Sequence, residues 1–298
     1  MTYNKRFLSR IYLVAVIGIV VWLLADRGSE MFDLFSEARP LPLIAVVGFA
    51  FLPFFANTAF WTITLRELGE EITWKQVNEA AIKTTLTRYL PGGIWLFASR
   101  SLALRNEGVA THSLVVFYGL ENLLAIPIAV LIGSLLLATS SGIPLWMGWV
   151  SLSLLVAIAI FVRPILDRFM TWWSKRKGLD APKKISNSGI LKMYLSLFLY
   201  WLTFGTVFYT YLRSVGQSIE WATAVGGFSL FWRISLFTPF VPHGLGVFEP
   251  SFIALVDWSV NALLLVGAFR AVLLIRDLLL TCIAGFFIKN PLRVKSFG

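Results

Sequence analysis

The residues of this chain that invite a chemical explanation are ionisable side chains set inside long apolar runs. Arg88 stands in TRYLPGG, Arg233 in FWRISLF, and Arg270 and Arg276 in VGAFRAVLLIRDLLL, where Asp277 follows directly; Glu121 stands in YGLENLLAIPIAV. A charge at membrane depth costs about 2.5 to 3.5 kcal/mol on insertion scales, so each needs a partner or a role. Arg88, Arg233, Arg270 and Arg276 outnumber Glu121 and Asp277. An excess of buried cations asks for an external anion, and a guanidinium is a planar fork of donors matched to phosphate. The expected chemistry is therefore binding of a phosphate-bearing headgroup by these arginines, with Glu121, Asp277, Glu249 and His243 beside them. Salt bridges that fix helix packing are the plainer account of Glu121 and Asp277, and capping of a first helical turn is the plainer account of Glu249. His243 offers a lone imidazole. Arg100 reads as a residue of the cytoplasmic interface.

The elements that must hold these groups are membrane helices. The chain has 298 residues, 57% hydrophobic and only 14% charged, with a mean hydropathy of +0.76; that is too apolar for a soluble domain of this length. Ile11 to Leu24, Leu41 to Leu65, Ser113 to Leu137, Pro144 to Val162, Met193 to Leu212 and Ala262 to Ile288 read as about six spans of a hydrocarbon core roughly 30 Å thick. The net charge of +10 follows the positive-inside rule and does not point to nucleic acid. Lys5, Arg6 and Arg10 put the amino terminus inside as an uncleaved signal anchor. The loop from Arg163 to Lys184 is the densest basic segment and cytoplasmic, and Lys289, Arg293 and Lys295 put the carboxyl terminus inside as well.

Two phrases repeat between the spans. RYLPGGIWLF (Arg88 to Phe97) and PFVPHGLGVF (Pro239 to Phe248) share one pattern of aromatic, aliphatic, Pro, any residue, Gly, with Pro91 and Pro242 separated by 151 positions. The flanking segments, Val77 to Leu90, Ile94 to Arg105 and Val247 to Trp258, are too short to span as helices. They read as two re-entrant helical hairpins with Pro91, Gly92 and Gly93 at one tip and Pro242, Gly244 and Gly246 at the other. Irregular backbone at that depth is tolerated only against protein or a wet cavity, and half-helix amino termini there attract anions. The order span, span, hairpin, span occurs twice in opposite orientation, which predicts an all-α polytopic membrane protein built as an inverted-topology repeat. Repeat one covers about 1–138 and repeat two about 139–298 of a single membrane domain. Glu121 and Arg270, at nearly equivalent places in the two halves, are candidates to pair across the repeat interface, and Asp277 lies seven residues from Arg270 on the same helix face.

Several chemistries find no support. Cys282 is the one cysteine and His112 and His243 the two histidines, so no disulfide forms within the chain and no metal-site spacing exists. No nucleophile elbow or nucleotide-binding loop is present, and neither an enzyme nor a cofactor is expected. Tryptophans such as Trp61, Trp74, Trp146, Trp172, Trp173 and Trp221 read as an interfacial belt.

RYLPGGIWLFASRSLALRNEGV, followed by Glu121 and then by PFVPHGLGVFEPSF, resembles the lysylphosphatidylglycerol synthase transmembrane region family, the flippase-like membrane domain found alone and in multiple-peptide-resistance proteins. In that family the second phrase is usually Pro-Gly-Gly-x-Gly, then a basic residue and Glu. Here His243 replaces the first Gly and Phe248 the basic residue, while Gly244, Gly246 and Glu249 remain. The resemblance implies a stand-alone member, in the plasma or inner membrane of a bacterium, that moves an anionic or aminoacylated phospholipid or a polyprenyl-phosphate lipid between leaflets. The alternative is a non-transporting partner that presents a lipid-linked substrate to a glycosyltransferase or aminoacyl transferase. Aminoacyl transfer by the chain itself is not expected, since it ends ten residues after its last span, and a homo-oligomer is compatible with either reading.

Overall fold

The computed structural model describes residues 28–89, 94–141, 144–177, 185–235, 248–255 and 262–287. Every regular element among them is helical. Residues 28–36 (α1) lead through Arg39 into α2 (Pro40–Phe49) and α3 (Phe51–Glu67). Pro40 opens α2 at a position where a missing N–H costs nothing. Pro53, in the first turn of α3, cannot donate back to Phe49, and the two helices meet at Ala50. Together they form one apolar stretch of 28 residues, Pro40–Glu67.

The next helices are short. Thr73 and Gln76 form a reciprocal capping box at the start of α4 (Trp74–Thr85), which tightens into the 3₁₀ turn Leu86–Tyr89. After it comes α5 (Ile94–Asn106). At 12 and 13 residues, α4 and α5 are each about 20 Å long, and they pack against each other with the Thr87 and Ser99 hydroxyls 2.7 Å apart. Gly108, at φ 99°, makes the turn into α6.

The helices α6 (Thr111–Ser140), α7 (Trp146–Lys177) and α8 (Asn187–Ser214) are long. They are followed by α9 (Trp221–Ser235), α10 (Phe248–Ile253) and α11 (Ala262–Phe287). Four helices among the described residues are long and apolar enough to cross a membrane: Pro40–Glu67, Thr111–Ser140, Trp146–Phe169 and Asn187–Ser214. They coincide with the second to fifth of the six expected spans. The first expected span lies outside the described residues. The last is a 26-residue helix, α11, in which Arg270, Arg276 and Asp277 fall within any stretch long enough to cross. Within the segment expected over Val247 to Trp258, the described helix is Phe248–Ile253. Pro91, Gly92, Gly93, Pro242, His243, Gly244 and Gly246, the two expected tips, lie outside the described residues.

The halves interlock through their long helices. The most extensive pairs are α6 along α9 and α3 along α8, while α11 lies against α4 and α2. Close approach of α6 and α9 depends on missing side chains: a Cβ on Gly133 would sit 2.7 Å from the Leu230 Cβ and 3.0 Å from the Gly226 carbonyl oxygen. Rings fill the second half, where Phe204, Phe208, Phe228, Trp232, Phe248, Phe252 and Phe269 meet edge-on, tilted or, for Phe228–Trp232 and Phe248–Phe252, stacked, arrangements worth more than their buried area alone. At the turns between helices, acidic side chains cap neighbouring elements: Ser186 N–H donates to Glu67 Oε2 (2.7 Å) and Ala110 N–H to Glu70 Oε1 (3.3 Å).

Gly133→Leu is expected to lower the thermal midpoint of the purified protein in detergent, at a cost on the order of 1–3 kcal/mol from overpacking. Gly119→Leu, where a Cβ meets nothing within 4 Å, is the control expected to leave the midpoint in place. Equal midpoints for Gly133→Leu and the native protein would refute close α6–α9 packing.

Candidate functional site

Asp277 is the most enclosed charge described, with none of its side chain exposed. It lies on α11 beside Arg276, whose Nε and Nη2 donate to its Oδ1 at 2.8 and 2.6 Å. Consecutive residues of a helix ordinarily point about 100° apart, so this pair closes only because Arg276 folds back along its own helix. Arg276 Nη1 continues to the Ala50 carbonyl (3.1 Å), at the junction of α2 and α3. The second carboxylate oxygen serves the opposite half: Tyr89 Oη donates to Oδ2 at 2.9 Å, and Arg88 Nε approaches it at 3.7 Å. Three side chains from two distant regions of sequence thus converge on one buried carboxylate.

A second cluster lies between α3, α5, α6 and α9. The Arg100 guanidinium covers the Trp61 ring at 3.7 Å from its centroid and stands 3.6 Å from Glu121 Oε2. Trp61 Nε1 donates to both Glu121 Oε1 (3.2 Å) and Asn57 Oδ1 (3.1 Å). One residue on from Glu121, Asn122 Oδ1 accepts from Arg233 Nη2 at 2.6 Å. Arg270 lies 5.5 Å from the ring of Trp232, next to Arg233. The clusters are neighbours, because the Tyr200 phenol on α8 is within electrostatic range of Arg88, Arg233 and Arg276 as well as Glu121.

Several expectations change. Glu121 faces Arg100, and the cross-repeat pairing with Arg270 is replaced by a contact inside the first half. Asp277 is claimed by Arg276, Tyr89 and Arg88 and not by Arg270, because the fold brings the end of α4 against α11. Arg100, read from the sequence as an interface residue, is 5% exposed and takes its place against Trp61 and Glu121, since α5 turns it toward α3 and α6. Trp61 is 2% exposed and carries Arg100, whereas Trp74, Trp146, Trp172 and Trp221 are exposed as an interfacial belt would be. The side chains of Trp173 and Glu249 and all of His243 are outside what the structure describes. Tyr89, Asn57, Asn122 and Tyr200 join the site without having stood out in the sequence. Asn57 and Trp61, four apart in an apolar span, carry the one available signal: a polar pair on one helix face.

A cavity of about 10 Å³ lies between α3, α4 and α5, with Arg88, Arg100, Trp61, Asn57 and Thr85 in its wall. That volume holds roughly one water. Arg100 Nε and Thr85 Oγ1, on two of the lining residues, are buried without a hydrogen-bond partner. Among the described residues no group of His, Cys, Asp and Glu could hold a metal ion.

The fold and site define a polytopic helical membrane protein that, among the described residues, keeps arginines in excess of carboxylates between its helices. A family model, lysylphosphatidylglycerol synthase TM region, matches residues 10–281, and the chain belongs to that family. No curated protein matches the chain.

Asp277→Asn should destabilise the protein by about 3–5 kcal/mol, because it strands Arg276 in the interior. The double variant Arg276→Met/Asp277→Leu should lose less than Asp277→Asn alone, as paired removal leaves no bare charge. Chemical unfolding of the two variants in detergent decides between them; a double variant less stable than the single one would contradict a pair held in place by its partner.

Proposed function

We propose that this protein is a lipid translocator that moves a lipid with an anionic headgroup between leaflets of the plasma or inner membrane, and that it is not an enzyme. The observation that carries this reading is the surplus of arginines over carboxylates in the two buried clusters among the described residues, in a chain of this family. Helices with no partner but lipid have no use for such a surplus, which costs free energy on insertion. An anion that enters from the headgroup region supplies the missing charge. Arg88, Arg100, Arg233, Arg270 and Arg276 are the candidate headgroup ligands, with Glu121 and Asp277 holding them in place; His243 and Glu249 stay candidates from the sequence.

On this reading the chain is an inverted repeat with about six spans and two re-entrant hairpins. Support comes from reciprocal packing: the hairpin helix α9 of the second half lies along α6, and its counterpart α4 in the first half lies along α11, with α3 and α8 paired between them. The short paired helices α4 and α5 are what a hairpin entering from one side requires. Alternating access follows if one half rocks against the other. Binding must stay modest, since a headgroup held too tightly never leaves.

The test uses the purified full chain in liposomes that contain a fluorescent anionic phospholipid, with a quencher that reaches only the outer leaflet. The native protein is expected to expose the inner pool, and Arg88→Ala and Arg270→Ala, checked for folding, are expected to reduce that exposure to the protein-free rate. A native protein that binds lipid but leaves the inner pool protected would favour the presenting partner, and undiminished flipping by both variants would remove the arginines from the path.

A further inference from the structure

Independently of the translocator reading, we infer that the far end of α7 is a binding site for anionic lipid headgroups, on the outside of the bundle and away from the two buried clusters. The helix α7 has 32 residues and is therefore about 48 Å long, against a hydrocarbon core of roughly 30 Å. Its apolar stretch begins at the exposed Trp146 and ends at Phe169. The helix continues to Lys177, into the densest basic segment of the chain.

The exposed residues of this extension stay in register with the lipid-facing side of the span. Leu154, Phe161, Ile165, Arg168, Trp172 and Lys175 are all exposed and recur at steps of three, four or seven, which is one stripe of an α-helix. Along that stripe aliphatic and aromatic side chains give way to cations where the helix leaves hydrocarbon. An extension surrounded by water gains nothing from this register, whereas a layer of headgroups over Phe161 and Ile165 does. Helical side chains lean toward the amino terminus, which here is back toward the bilayer. Arg176 shows the lean, its guanidinium lying 5.0 Å from the ring of Trp172 one turn earlier. Long basic side chains at span ends reach headgroups in this way, and a tryptophan between them sits where interfacial tryptophans sit.

The stripe carries charge of one sign. The acid among the described residues of the extension, Asp167, is engaged by Arg163 at 4.0 Å, and Arg163 Nη1 donates at 2.9 Å to Asn187 Oδ1 at the start of α8. Arg168, Lys175 and Arg176 are left as an exposed cationic group. Among the described helices α7 lies along α6, so the exposed stripe is left to lipid. Lipid covers it, and the three cations select an anionic headgroup over a zwitterionic one.

Native mass spectrometry of the detergent-purified full chain, titrated with phosphatidylglycerol or with phosphatidylcholine of the same acyl chains, reads the number and affinity of bound lipids. The triple variant Arg168→Gln/Lys175→Gln/Arg176→Gln is expected to lose at least one bound phosphatidylglycerol and to hold phosphatidylcholine as the native chain does. Each single substitution is expected to weaken that lipid about fivefold, the worth of one basic residue at an anionic surface. All three side chains are exposed, so their replacement leaves the packing of α7 in place. Arg88→Ala/Arg270→Ala is expected to keep this lipid, which separates it from an anion held in the interior. Equal phosphatidylglycerol binding by the native chain and the triple variant would overturn the site, as would loss of both lipids alike. A dimer that the triple variant breaks, with lipid binding unchanged, would give the face to a second copy and overturn it as well. None of these outcomes depends on whether the protein translocates lipid.

Discussion

The constraint on which the rest of the structure depends is that a charge removed from both water and headgroups must find its counter-charge inside the protein. Asp277 meets it with Arg276 on its own helix, and through Tyr89 and Arg88 it draws the end of the first half's short helices onto α11. Arg276 in turn reaches the Ala50 carbonyl, where α2 gives way to α3. A single ion pair therefore sets the relative position of three regions that are far apart in sequence. Glu121 has the corresponding place between α3, α5 and α6, through Arg100 and Trp61.

Between these polar points the packing is apolar and depends on small residues. Gly133 on α6 and Gly226 on α9 let the two backbones approach closely, the usual solution where lipid tails give helices no hydrophobic reason to associate. The ring cluster around Phe208 and Phe228 then fills the space behind α9 and α10. The two kinds of contact act differently. Rings and glycines bring helices together without direction, and buried ion pairs decide which faces meet.

How much of this is legible in the sequence follows from the range of each interaction. Long helices can be read because their signal is local: about twenty apolar residues form a span wherever they occur. Pro40–Glu67 and Thr111–Ser140 fall where hydropathy puts them. The short helices α4 and α5 are legible for the same reason, through their length and the Pro-Gly-Gly between them. Partner choice is not. Tyr89 and Asp277 are 188 residues apart, and nothing in the spacing of Arg270 reveals that Glu121 turns to Arg100. Position along the chain places Glu121 and Arg270 at matching depths, but depth leaves the helix face open, and the face decides the pair. Trp61 shows the same limit, since a tryptophan at the water boundary and one under an arginine have the same sequence neighbourhood.

The way Asp277 is held also bears on motion. Its bond to Arg276 lies within one helix and travels with it, so α11 remains locally neutral wherever it goes. The ties to Tyr89 and Arg88 cross between halves: one hydrogen bond and one ion contact at 3.7 Å. Parting them costs on the order of 1–3 kcal/mol, and no bare carboxylate is left behind, because Arg276 keeps it covered. An arrangement in which Arg88 alone neutralised Asp277 would forbid separation, since a stranded pair of charges costs several kcal/mol more. Placing two charges side by side on α11 thus leaves the contact between halves a weak one, and on the proposed translocator reading its parting would free Arg88 to meet an anion.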